Sequence, residues 1–322
     1  MAGTLTIASK EIRDQMGSKR FLILFGLVVL LSAVSAYQGI DYIQNNTDAG
    51  FNSIFSGTQF GFSFIYIMVF FGPLLGLSLG FDAINKERAN GTLSILLGQP
   101  IFRDSVINGK LIAGAAALGA LVIGTIGIMS GITIPLLGFG PTMDEFARII
   151  VLTLLTIIYL VFWQSLGLLY SVLAKKTTTS IMASIATWLV FSIVITILAS
   201  AIAGVMVPLP EGDFRPGAGG QGTDFKIADE FREAMQERAA IQDNIGKISP
   251  TNLYNDAATD ILGVRSTGFG IGRGFQEFDR TLSLTEALAA NWANIATIIV
   301  GLVVCFASSY MIFLRSEIRP GE

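Results

Sequence analysis

The sequence predicts an all-α integral membrane protein. It has six transmembrane helices, both termini on the cytosolic side, an amphipathic N-terminal interface helix, and a helical external segment between spans five and six. Four observations carry this prediction. Of 322 residues, 52% are hydrophobic and only 14% charged, against about 25% charged in ordinary soluble domains. The apolar residues are grouped in blocks of about 18 to 28, the length needed to cross roughly 30 Å of hydrocarbon. The blocks hold almost no charge, and each charge at mid-span would cost about 2.5–3.5 kcal/mol. The basic residues are unequally divided between the two sides that the blocks define.

The elements follow in order. Over residues 4–17, Leu5, Ala8, Ile12 and Met16 recur at helical spacing while Lys10, Glu11, Arg13 and Asp14 take the rest of the turn, the pattern of a helix lying in the membrane interface. Lys19 and Arg20 precede a first span at about 21–37, in which Val34-Ser35-Ala36 also has the form of a signal-peptide cleavage site. Acids in the leader and a long apolar core favour retention as a span. A second span covers about 58–79, with Gly72-Pro73 predicting a kink near its middle. The remaining spans fall at about 107–131, 147–173, 178–206 and 291–314.

Six spans put both termini on one side. That side carries Lys10, Arg13, Lys19, Arg20, Lys86, Arg88, Arg103, Lys110, Lys175, Lys176, Arg315 and Arg319, twelve in all, and the short loops of the other side carry only Arg148. By the positive-inside rule both ends are cytosolic. The long segment between spans five and six does not count, because loops beyond about 60 residues translocate largely regardless of charge.

The chain thus divides into 1–206 (interface helix and spans one to five), 207–290 (external helical segment) and 291–322 (span six and cytosolic tail). The external segment opens with Pro208, Pro210 and a Gly-rich link over 217–222. Phe225, Ala228, Phe231, Met235 and Ala239 then mark an amphipathic helix from Asp224 to about Lys247. Ser249-Pro250-Thr251-Asn252 is a stop and fresh start, with Leu253, Ala257 and Ile261 continuing until Gly263. The pair reads as a small cap over the membrane part.

Several functions are excluded by what is missing. There is no histidine and one cysteine, Cys305, so the chain lacks the usual general base, the usual nucleophile pairs and any internal disulfide or Cys-based metal site. It is expected to be no enzyme and to bind no cofactor, metal or nucleic acid itself; membrane lipid surrounds it. No acid or base within the spans stands out as an ion relay.

The informative cytosolic stretch joins spans two and three, roughly 80–108. Asp82, Asn85, Lys86, Glu87 and Arg88 make a charged helix, with Asp82 and Lys86 an i, i+4 pair. Gly91 breaks it. Leu93, Leu96 and Leu97 form a second amphipathic turn that stops before Pro100, and Arg103 leads into the next span. Such a pair either docks a partner or lies against the protein's own cytosolic ends, and on physical grounds both readings stand.

Glu87, Gly91-Thr92-Leu93, Pro100-Ile101, Arg103 and Gly109-Lys110 in this position resemble the signature of the type-2 ABC transporter permeases. The likeness extends to Lys10-Glu11-Ile12-Arg13 before span one and Ser249-Pro250 before the last external helix. It implies a permease acting as a pair of six-span bundles, with a second identical or different copy, and probing a cleft of separate ABC ATPase subunits with this segment. Asp82, Asn85, Lys86, Glu87, Arg88, Gly91, Thr92, Leu93, Leu96, Leu97, Pro100 and Arg103 would form it. Of these, Glu87 and Arg88 would supply polar contacts and the leucines an apolar seat. The resemblance favours export.

The chain has no Walker A loop of its own, since Gly109-Lys110 is followed by Leu111 and lacks the earlier glycine. ATP and Mg are therefore expected on the partner. Gly219-Gly220-Gln221-Gly222 reads as linker. For a substrate path the sequence offers Gln59, Gln164 beside Trp163, Thr187, Ser192 and Thr196, all residue types that in membrane helices commonly bond a neighbouring helix instead. Asn291 and Asn294 stand at the external mouth of the last span. Two rival classes stay open at this stage: an ion-coupled carrier or channel acting without ATP, and a membrane-anchored assembly factor that uses the external segment.

Overall fold

The computed structural model describes residues 2–46, 49–55, 63–91, 103–209, 223–263 and 282–315, with side chains except at 2–3 and 223–229. Among them every regular element is helical and there is no strand. Six helices are long and apolar enough to cross a membrane. Their length reflects the absence of water: in hydrocarbon each backbone polar group must be bonded within its own segment.

Helix α1 (Ala2–Met16) precedes span one, α2 (Lys19–Asn45), whose first turn is capped by Ser18 accepting from the Phe21 amide. The N-terminal helix is present, but its buried side is turned from the one expected. Ile7 and Ala8 are buried and Glu11 half-buried, while Leu5 and Met16 are exposed. The reason is that α1 packs on the start of span three, so a polar residue with a partner there outranks an apolar one without.

A 3₁₀ turn (Phe51–Phe55) leads to span two, α3 (Phe64–Gly80), which carries Pro73 inside it. Helix α3 lies against span four, α6 (Met143–Leu173), along Gly72, Gly76 and Gly80. A Cβ on Gly76 would sit 2.5 Å from the Leu160 carbonyl oxygen, so the two backbones touch only because that side chain is absent. Between them, α4 (Asn85–Ala89) follows span two and α5 (Arg103–Leu137) is span three. Helix α6 begins with a capping box, Thr142 and Glu145 exchanging bonds across the first turn.

Span five is continuous but not uniform: α7 (Thr177–Leu189), a π segment (Val190–Val194) and α8 (Ile195–Met206). Then come α9 (Thr223–Gly246), α10 (Pro250–Leu262) and span six, α11 (Leu284–Arg315). Helix α9 runs beside α8, where Arg238 donates to the Val207 and Gly204 carbonyls at 2.7 and 3.4 Å.

The predicted boundaries of α9 and α10 hold closely, down to Gly263, whose φ of 64° ends α10 in the left-handed conformation. Their placement differs from a cap. Ser249 donates to the Phe191 carbonyl in the π segment at 2.6 Å. Tyr254 stacks on Tyr159 with ring centroids 4.2 Å apart and shares a 2.9 Å hydroxyl bond with Thr156, both near the middle of α6. Ile261 is held at its carbonyl by Arg148, close to the start of α6. Helix α10 therefore climbs inside the bundle, with Leu253, Tyr254, Ala257, Ala258 and Ile261 in the main core. A half-apolar helix of this length can sit at membrane depth because four spans pack against it.

A second, smaller core joins Ile7, Ile84, Val106, Ile107, Leu168, Val172 and Phe313. It brings the start of the chain and the end of span six to one end of the bundle, together with the connection from span two to span three.

Candidate functional site

That end of the bundle is where the predicted segment begins. After span two the chain turns through Phe81–Ile84 and enters α4, and no side chain of its own caps that helix. Span four supplies the cap instead: Ser171 Oγ accepts from the Ile84 and Asn85 amides at 2.9 and 3.1 Å. From span five, Ser180 donates to the Phe81 carbonyl at 2.8 Å. The base of the segment is thus fastened to two spans before any charge is considered.

The charges fasten it to three more helices. Lys110 on α5 is buried at 4% exposure, and its ammonium lies 2.8 Å from Glu87 of α4 and 3.0 Å from Glu11 of α1. One cation serves two carboxylates that are each largely buried. The neighbouring Gly109 makes the approach possible, because a Cβ there would meet Ile7 Cγ2 at 2.8 Å. The Gly-Lys pair thereby has a physical reading: the glycine seats α1 and the lysine pins it. Arg20, at the start of span one, pairs with Asp82 at 2.9 Å and lies 5.8 Å over the Phe81 ring.

This geometry gives several of the expected residues partners within the chain. Glu87 lies 2.8 Å from Lys110, because a buried ammonium needs a counter-charge. Asp82 pairs with Arg20 of another helix rather than with Lys86 four residues on. Asn85 is buried, and its carboxamide finds no partner among the described residues. Lys86 is exposed, Arg88 is half-buried, and Ala89, Asn90 and Gly91 are exposed. Gly91 has φ of 68°, which suits its part as a helix breaker. Arg103 opens α5. Thr92, Leu93, Leu96, Leu97 and Pro100 lie outside the described residues.

The described residues offered for a substrate path stand at different places in the bundle. Gln164 is buried and donates from Nε2 to the Lys110 and Leu111 carbonyls at 3.3 and 3.2 Å, a brace between spans three and four. Thr187 bonds Tyr170 at 2.6 Å and the Ala183 carbonyl at 2.9 Å. Ser192 faces Thr251 at 3.4 Å, Thr196 stands half-buried in α8, and Gln59 lies outside the described residues.

Sequence reasoning passed over Glu11, Arg20, Lys110 and Ser171 as site residues. Lys110 was detectable in principle, as a charge within a helix that continues as a span. It also passed over the acids of α10. Asp256 and Asp260 are drawn to membrane depth by the helix that carries them, and Asp260 accepts from Asn291 of span six at 2.7 Å.

Comparison with known proteins gives a consistent answer. A family model described as ABC-2 family transporter protein matches residues 5–318. The Probable ABC transporter permease protein NosY of Stutzerimonas stutzeri is 26% identical over 215 residues, 65% of this chain and 72% of that one. The protein of the same name from Pseudomonas aeruginosa is 33% identical over 107 residues, 33% of this chain and 37% of its own length.

Proposed function

For a chain that belongs to the ABC-2 transporter protein family and is a membrane permease subunit of an ATP-binding cassette transporter, we propose a mechanism of coupling through the end of the bundle just described. Separate ATPase subunits, carrying ATP and Mg, seat against the outward residues of the connection between spans two and three. Lys86, Arg88 and the stretch from Gly91 to Arg103 make that contact. Two permease copies work as a pair, both termini are cytosolic, and transport runs outward.

The observation that carries this reading is the Lys110 ion-pair group. A push on α4 cannot be absorbed locally, because Glu87 hands it to Lys110, and Lys110 to both α5 and α1. A buried pair of this kind resists separation, since leaving one charge unpartnered costs about 3–5 kcal/mol. The cap from Ser171 passes the same displacement to span four. The charge asymmetry of the loops supports the orientation.

The test is Glu87→Lys, which sets two ammonium groups against each other at the junction. In proteoliposomes holding the permease and its co-purified ATPase, permease-dependent ATP hydrolysis is expected to fall sharply while membrane insertion is kept. Unchanged hydrolysis would remove Glu87 and the ion-pair group from the mechanism. Failure of any ATPase to co-purify with the unaltered chain would remove the docking segment.

A further inference from the structure

Helix α10 has two faces. Thr251, Leu253, Tyr254, Ala257, Ala258, Ile261 and Leu262 are buried on the side packed against spans two, four, five and six, whereas Asn252, Asn255, Asp256, Thr259 and Asp260 are partly exposed. The second set falls at i, i+3, i+4, i+7 and i+8, a single polar stripe along the helix. The stripe continues onto span six: Asp260 accepts from Asn291, itself 3% exposed, and Asn291 accepts from Asn294 at 2.9 Å.

Depth makes this stripe informative. Its lower end is level with the π segment of span five, where Ser249 bonds Phe191, and with Thr156 and Tyr159 at mid-span. Its upper end is at Arg148. Carboxylates and carboxamides at that depth cannot face lipid, and ionisable groups within a membrane face the bundle interior or a water-filled cavity. The bundle interior is already occupied by the opposite face of the same helix.

We infer that the polar stripe of α10, continued by Asn291 and Asn294, is the wall of a water-filled outer half of the transport path, suited to hydrophilic cargo that is cationic or rich in hydrogen-bond donors. The stripe itself carries two acids and no base. Of the charged groups among the described residues, Arg148 is turned onto the Ile261 and Leu282 carbonyls and Asp144; Asp243 in the last turn of α9 and Lys247 just after it precede the deep end in the chain. Cargo of lipid character would not need such a wall. The word outer rests on the orientation proposed above, and the experiment separates the two.

Single cysteines are placed at Asn255, Thr259, Ala257 and Ala258 in a Cys305→Ser background, in right-side-out and inside-out membrane vesicles. They are treated with membrane-impermeant cationic and anionic methanethiosulfonates. Asn255→Cys and Thr259→Cys are expected to react from the outside, and Ala257→Cys and Ala258→Cys only after denaturation, which also confirms that each thiol is present. Relative to the ratio for a free thiol, the cationic reagent is expected to be favoured about 10-fold at Asn255→Cys, as a focused acidic wall predicts. That preference should disappear with Asp256→Asn and Asp260→Asn together. Protection of both stripe positions from both sides would overturn the wall, and equal normalised rates would overturn its charge selectivity. Reaction from the cytosolic side alone would leave the wall standing and overturn the orientation.

Discussion

The two ends of the bundle secure their cations by different means. Where α1 and the end of span six gather, cations pair with carboxylates of separate helices: Lys110 with Glu11 and Glu87, Arg20 with Asp82. At the opposite end, Arg148 pairs only with Asp144 of its own helix among the described residues and otherwise bonds the backbone. Arg148 donates to the Ile261 and Leu282 carbonyls at 3.0 and 2.8 Å, and Asn52 Nδ2 to the Leu262 carbonyl at 3.2 Å. The difference suits two tasks. Pairs between side chains can tie separate helices together while either partner swings with its own helix. Bonds to the last carbonyls of α10 hold a helix terminus in place, where unpaired backbone groups would otherwise be left in a dry setting.

The contrast can be broken at four points, beginning with the largest effect. Lys110→Met strands two largely buried carboxylates, and should lower stability by about 3–5 kcal/mol and abolish coupled ATP hydrolysis; thermal unfolding in detergent and the reconstituted ATPase assay read both. Arg148→Met should cost less, about 1–3 kcal/mol for an orphaned buried carbonyl. It should appear as faster amide exchange over 257–262 with coupling retained. If Arg148→Met uncoupled the ATPase as fully as Lys110→Met, the division of labour between the ends would fail.

Ser249→Ala removes the bond to Phe191 and is expected to cost about 0.5–1.5 kcal/mol, measurable as increased thiol access at the foot of α10. The smallest effect belongs to Arg20→Ala. The arginine side chain of that pair is 60% exposed, so the loss should be no more than about 1 kcal/mol and should shrink further in high salt.

How much of this was legible in the sequence follows from what each residue needs. The spans were readable because hydrocarbon thickness imposes a length on them. The limits of α9 and α10 were readable because Ser249-Pro250 and Gly263 are local signals, requiring nothing but their own neighbours. The depth of α10 was not, since a thirteen-residue helix with six polar positions meets no criterion for a membrane element. Only the partners of Tyr254 and Ser249 place it. Likewise the motif residues Glu87 and Lys110 could be recognised by position, while the fact that they satisfy each other, with Glu11 as a third, depends on α1 packing across Gly109. Gln164 was offered as a path residue for its chemistry, while its bracing of spans three and four was not legible, because its reach to the α5 backbone is a property of helix spacing.

The π segment of span five has a bearing on how relatives of this chain would diverge. A π turn holds one residue more than the α-helix would, and each residue advances an α-helix by about 100° around its axis. Loss of one residue from Val190–Val194 would therefore return that turn to α geometry and leave α8 facing as it does, whereas the same loss within α7 would rotate α8 by roughly that angle, and Arg238 would carry α9 round with it. Composition and apolar length would scarcely change in either case. The π turn acts as a slack link, a place in span five where a residue can be shed without turning the side chains beyond it.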